Sequence, residues 1–298
     1  MCDERTMRET EEYLLRNGSA LTRRRFGALV IGAGVAASLP ATANALAVSD
    51  AMVEIKTPDG VAEAFLARPA DGTHPGVLLW PDAWGLRASI RQMARRLAES
   101  GYAVLAPNPY YRSTRLPALP EPLDMKDPEV RRLWGTMRTL LTADAVNRDA
   151  LAYLGHLDTL PSVDTSRRLG TMGYCMGGAM ALRAAAALPE RVGAAASFHG
   201  AGLVTDQPDS PHLLVARMKA SGLIAIAESD DKAQPEARDA LRGAFTAAGL
   251  PAEIEVYEGT LHGWCPPDTL VYNEVQAERA WSRLLALFSS ALAPAMPA

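Results

Sequence analysis

Apolar runs alternate with amphipathic stretches from about residue 51 to the C-terminal region, and this alternation sets the order of elements. "VEIKT" and "AEAFLAR" flank Pro58-Asp59-Gly60 and predict an opening hairpin. "GVLLW" at 76–80 has no polar position, as expected of a strand covered on both faces. In "SIRQMARRLAESG" the apolar residues Ile90, Met93 and Leu97 recur at helical spacing between charges, and Gly101 closes the helix. "YAVLAP" at 102–107 is the next strand. The proline-rich stretch 113–128 predicts a surface loop or lid edge, followed by helical patterns near 129–141 and 143–157. "RLGTMGY" (168–174) reads as a strand running into the helix "GGAMALRAAAAL". "VGAAASF", "GLIAIA" and "AEIEVY" predict three more strands, separated by loops and a helix around 235–248, and a last helix covers about 273–292.

Strands alternating with helices imply an α/β fold, a mainly parallel central sheet with helices on both faces. In such sheets ligands bind at the carboxyl ends of the strands, which here are the regions of 175, 229–231 and 260–265. No repeat breaks the pattern, so residues 46–298 read as a single domain.

Residues 1–45 are expected to lie outside that domain. Thr22-Arg23-Arg24-Arg25-Phe26 precedes an uncharged stretch at 27–39, and the segment ends in Ala43-Asn44-Ala45. A basic region, a short apolar stretch and an A-x-A site form an export signal, and the paired arginines followed by Phe26 resemble the twin-arginine type. The apolar stretch is too short for a bilayer that needs ~20 residues, so stable membrane insertion is not expected. The expected partner is the twin-arginine export machinery, with cleavage near Ala45 and a periplasmic or secreted product, an uncleaved anchor being the open alternative.

The chain has 298 residues, 48% of them hydrophobic, which is enough for one large core. A formal net charge of −4 with no basic tract argues against nucleic acid as a partner. Loss of the signal would remove Cys2 and leave Cys175 and Cys265, which raises the question of a disulfide in an exported chain.

Gly173-Tyr174-Cys175-Met176-Gly177 has the G-x-nucleophile-x-G form of a nucleophile elbow, between a predicted strand and a predicted helix. The head of a helix favours thiolate over thiol. Hydrolases built on this elbow order their triad as nucleophile, acid, histidine. Asp230 and Asp231 end one later strand, with Asp230 preferred, and His262 ends the next. The histidine would take the thiol proton, and the aspartate would hold the imidazole's orientation and tautomer. His199, in "SFHG", also ends a strand and reads as lining the site or structural. No metal-ligand cluster and no phosphate loop is visible, so neither metal nor organic cofactor is expected.

From about 51 to 290 the chain resembles the dienelactone hydrolase family of α/β-hydrolases. Gly-Tyr-Cys-Met-Gly-Gly is similar to that family's cysteine elbow and "YEGTLHGW" to its histidine loop. "PDAWGLRASIRQMARRLAESGYAVLAPNPYYR" resembles the segment carrying the oxyanion loop, first helix and following strand. The resemblance implies Cys175, Asp230 and His262 as triad, with backbone N–H groups of Met176 and Ala83 as oxyanion hole. It also implies hydrolysis of a small ester or lactone through an acyl-cysteine. Two departures stand out: Asp82 occupies the position of the family's oxyanion-loop glutamate, and of two carboxylate-binding arginines only Arg112 is matched, the second falling at Pro266. Trp84 and Trp264 are expected as apolar walls of the substrate site. Open alternatives are a broad carboxylesterase or thioesterase on the same fold, and a redox or non-catalytic protein with a Cys175–Cys265 disulfide.

Overall fold

The computed structural model describes residues 45–120 and 127–294, with 6, 8–10, 12, 13 and 42. Apart from those few positions the expected signal, Arg23 and Arg24 included, lies outside the described residues.

The hairpin forms between β1 (Val48–Thr57) and β2 (Gly60–Pro69), paired from Val48↔Pro69 to Thr57↔Gly60. Next come β3 (Gly76–Trp80), α1 (Ala88–Glu99), β4 (Ala103–Pro107), α2 (Pro128–Arg138) and α3 (Ala143–Thr159). β5 (Leu169–Tyr174), α4 (Met176–Ala187), β6 (Val192–Phe198), a short α5 (Pro211–Leu214) and a 3₁₀ turn (Val215–Arg217) follow. The chain continues through β7 (Ser221–Ala227), α6 (Glu228–Ala233), α7 (Glu236–Ala247), β8 (Ala252–Tyr257) and α8 (Glu274–Ala291). Helix starts are capped where the sequence supplies a short polar side chain. Asp127 accepts from Glu129 N ahead of Pro128, Thr142 from Ala145 N and Asn273 from Gln276 N.

The eight strands lie in the order β1-β2-β4-β3-β5-β6-β7-β8. β1–β2 and β2–β4 are antiparallel and every other pair is parallel. β3, β4, β5 and β6 are buried at every position, which is why their sequences show no polar alternation. Successive strand residues face opposite layers. Val77 and Leu79 pack with Ile90, Leu97, Trp281 and Phe288 of α1 and α8. Leu78 and Trp80 pack with Tyr153, Leu154, Met180 and Phe245 of α3, α4 and α7.

Two differences from the sequence pattern bear on the site. "ESDDKA", expected as a loop, forms the short helix α6, and α5 was not expected at all. No helix among the described residues is long and apolar enough to cross a membrane.

Candidate active site

β5 ends at Tyr174, and the chain turns through Cys175 directly into α4. Cys175 has φ 53° and ψ −120°, a backbone state that costs a residue with a β-carbon about 1–3 kcal/mol. Its backbone is held on both sides. Cys175 N donates to Phe198 O, and Cys175 O accepts from Gly178 N and Ala201 N, each at 3.0 Å. The flanking glycines are required by contact. A β-carbon on residue 173 would stand 2.0 Å from Gly177 O, and one on residue 177 would stand 2.5 Å from Trp80 O. The turn therefore closes only with glycine at both places, and it pushes the Cys175 side chain out at the head of α4.

His262 follows β8, with its backbone N–H donated to Ser229 Oγ at 3.0 Å. Glu228 N donates to Thr260 Oγ1, so the start of α6 and the histidine loop are laced together. This lacing brings Asp230 Oδ2 to 2.8 Å from His262 Nδ1, while Asp231 turns to Arg238. Asp230 takes Nδ1, so Nε2 is the nitrogen left toward Cys175, with no other partner among the described residues. Burial favours the neutral ring, but the Cys175 charge and hydrogen bond, with Asp230, outweigh it and push His262 up to about 10. That balance favours an imidazolium beside a thiolate.

Cys175 opens on a cavity of about 260 Å³ whose lining includes Ala83, Met176, Met180, Arg138 and Arg183. Ala83 follows β3 in a tightly pinned turn. Gly85 N donates to Asp82 O, Trp84 N to Asp82 Oδ1, and Ala83 O accepts from both Tyr110 OH (2.7 Å) and Trp134 Nε1 (2.9 Å). Ala83 and Met176 line the same cavity as Cys175.

The remaining expected site residues are placed differently. Asp82 is buried and paired bidentately with Arg87 at 2.7 and 3.0 Å. Burial pushes its carboxyl up against the pull of Arg87, and the nearby Cys175 adds to the rise. Arg87 also binds Asp268, tying the oxyanion loop to the histidine loop. Arg112 does not line the cavity. Its guanidinium chelates buried Asp149 at 2.7 and 2.8 Å and bonds Asp59 at the hairpin turn. Trp84 also lies off the cavity lining and pairs with Trp134, ring centroids 5.8 Å apart. Trp264 is fully buried in the core, stacked on Tyr257 at 4.8 Å, so it is packing rather than a substrate wall. Cys175 and Cys265 form no disulfide; Cys265 is buried in the α1/α8 layer, where burial pushes its thiol well up.

His199 has φ 40°, and its ring stands edge-on to His262 with centroids 5.0 Å apart. It is 1% exposed, and neither ring nitrogen has a partner among the described residues. Burial first, then the charge of His262, push it down to about 3, so the ring is neutral. Arg87, Asp268, Tyr110, Trp134, Arg138 and Arg183 were not singled out in the sequence. The buried Asp82 was the one available signal, because a buried carboxylate calls for a cation.

A mainly parallel sheet with a sharp strand-to-helix turn at Cys175 after β5, and an aspartate and histidine delivered after β7 and β8, matches the α/β-hydrolase fold. The model of the dienelactone hydrolase family matches residues 62–292, and the chain belongs to that family. It is similar to the "Putative carboxymethylenebutenolidase" of Escherichia coli (strain K12), 30% identical across 76% of this chain and 81% of that protein. The protein of the same name from Salmonella typhi is 29% identical across 82% and 88% of the two chains. Among solved structures, the "Putative Dienelactone Hydrolase from Klebsiella pneumoniae subsp. pneumoniae MGH 78578" superposes with a TM-score of 0.71 at 26% identity, covering 82% of this chain and 99% of that one.

Proposed function

We propose that the protein hydrolyses a small carboxylic ester or lactone through a covalent acyl-cysteine intermediate on Cys175. The observation that carries this reading is the Asp230–His262–Cys175 chain beside a cavity whose lining also includes Met176 and Ala83. In the first half-reaction the Cys175 thiolate attacks the carbonyl carbon, and the carbonyl oxygen takes the electron pair as an oxyanion facing the backbone N–H groups of Met176 and Ala83. Collapse expels the alcohol oxygen, which takes the proton from His262 Nε2, and a thioester remains. In the second half-reaction neutral His262 removes a proton from water, and the hydroxide attacks the thioester. The C–S bond then breaks to release the acid and restore thiolate and imidazolium. Asp230 holds Nδ1 throughout and fixes the ring so that Nε2 handles both proton transfers.

Two observations favour a small and not strictly dienelactone substrate. The cavity falls just below the roughly 300 Å³ at which typical ligand pockets begin. Arg112, the residue matching a carboxylate binder, is occupied by Asp149 and Asp59. Export is part of the same proposal: Thr22-Arg23-Arg24-Arg25-Phe26 ahead of an uncharged stretch would address the chain to the twin-arginine machinery and the periplasm.

The test is a panel of small lactones and aryl and alkyl esters, with rapid quenching and peptide mass measurement. The acyl group should appear on the Cys175 peptide, and Cys175→Ala should lose several powers of ten in rate. Retention of most of the hydrolysis by Cys175→Ala on every substrate would overturn the mechanism.

A further inference from the structure

Among the described residues, the cavity beside Cys175 is lined by two cations and no carboxylate. They differ in how they are held. Arg183, on α4, gives its guanidinium to Asp209, bonding the side chain at 2.9 Å and the backbone carbonyl at 2.8 Å. The guanidinium of Arg138, the last residue of α2, makes no ion pair and no hydrogen bond among the described residues. It lies over the Trp134 ring, 4.5 Å from the centroid. Trp134 in turn donates to Ala83 O, so the ring that carries the cation is fastened to the oxyanion loop. The charge of Arg138 also reaches Tyr110, whose hydroxyl bonds the same carbonyl and lies 3.7 Å from Met176 Sδ. Arg138 thus lines the same cavity as Cys175, half-buried, with no partner for its guanidinium donors among the described residues. The remaining lining is largely small or aliphatic, including Leu141, Val146, Ala179 and Met180.

A guanidinium presents five donors in a planar fork that matches a carboxylate bidentately. Placed on an aromatic ring at the wall of an apolar cavity, it gains most from an anion brought in by the substrate. We infer that Arg138 is a specificity-determining residue of the cavity, and that it binds a carboxylate at the far end of a short aliphatic acyl chain whose ester carbonyl faces Cys175. This inference rests on the acyl-cysteine reading only for the direction of the acyl chain. The anion subsite stands on the placement of Arg138 alone. Arg112 plays no part in it.

Two esters with the same leaving group provide the test: 4-nitrophenyl butyrate, which is neutral, and mono-4-nitrophenyl glutarate, which carries the distal carboxylate. The readout is the ratio of kcat/KM for the charged ester to that for the neutral one. Arg138→Gln should lower this ratio about ten- to a hundredfold, mainly through KM for the charged ester. Arg138→Lys should recover part of the loss, since a point charge cannot copy the fork. Arg183→Gln should move the ratio less, because Asp209 already holds that guanidinium. A second arm uses binding alone: calorimetric titration of glutarate into Cys175→Ala, compared with Cys175→Ala/Arg138→Gln, with weaker binding expected in the double variant. An unchanged ratio together with equal glutarate binding would overturn the inference. Glutarate binding that depends on Arg138, in a protein that hydrolyses neither ester, would uphold the subsite and overturn the acyl-cysteine reading.

Discussion

Replacing Cys175 by alanine removes the charge that opposes burial at His262, and the size of the response follows from two neighbouring histidines. His262 is pushed up to about 10 from an ordinary 6.5, a gap on the order of 5 kcal/mol. His199, equally deep, packed against His262 and with no anionic group bonded to its ring, is pushed down to about 3. Burial at this depth therefore drives an imidazole neutral unless anions hold its proton. In Cys175→Ala only Asp230 remains, at 2.8 Å, and a carboxylate at that range typically raises a histidine by about 1–3 pH units. That roughly cancels burial, so the midpoint of His262 is expected at or below about 7, a loss of ~4 kcal/mol or more in the hold on the proton. The assay is a titration of the His262 ring signals by NMR in the wild type, in Cys175→Ala and in Cys175→Ser. Serine keeps a hydrogen-bonding group without a thiolate's charge, so it should behave like alanine. A midpoint that stayed near 10 in both variants would show that Asp230 alone holds the proton, and the resting thiolate–imidazolium pair would have to be abandoned.

Arg112→Ala should act on stability and not on substrate choice. It leaves the Asp149 carboxylate buried without its bidentate partner, at a cost of roughly 3–5 kcal/mol in urea melts, and should shift kcat/KM for charged and neutral esters alike. A selective loss on carboxylate-bearing esters would restore Arg112 to the substrate site. His199 is neutral in the fold but takes a proton when unfolded below its ordinary 6.5. Its contribution to stability is therefore whole above that pH and is lost as the pH falls toward about 3. His199→Phe should flatten the decline of unfolding free energy in that window, by ~2 kcal/mol at pH 5; an unchanged slope would mean that the ring is already charged in the fold.

The strands were the most legible part of the chain. β3 and β6 begin and end where "GVLLW" and "VGAAASF" do, because a strand covered on both faces is written as a nearly uninterrupted apolar run; β8, at the sheet edge, was legible in "AEIEVY" through the alternation of Glu253 and Glu255 with apolar residues. β1 runs further than "VEIKT" because it is an edge strand. Ser49, Asp50 and Met52 are exposed and held by backbone pairing with β2, which leaves no apolar signature. α6 escaped for the opposite reason, since a single helical turn of "ESDDKA" has no periodicity to detect. The grouping of Cys175, Asp230 and His262 could be read because backbone geometry dictates the glycines around Cys175 and the topology dictates the order in which the aspartate and the histidine follow. The cations could not be read in the same way. Whether Arg87, Arg112 or Arg138 meets a carboxylate depends on which loops pack together. Asp268 lies 181 residues from Arg87, and Asp149 lies 37 from Arg112. Trp264 misled for a related reason: a tryptophan two residues after the histidine is as easily turned into the core as into a pocket.

The carbonyl of Ala83 accepts at once from Tyr110, after β4, and from Trp134, on α2. One peptide group thus joins the wall that would select substrates to the floor that would hold the oxyanion. Attempts to re-tailor this enzyme by redesigning α2 should therefore seldom change selectivity alone, because losing the indole donor also loosens the turn that aims the Ala83 N–H. Directed evolution toward bulkier substrates would meet this linkage early. The productive route should keep Trp134 and Tyr110 and vary Ala179 and Met180, which line the cavity from α4 and make no bond to the shared peptide.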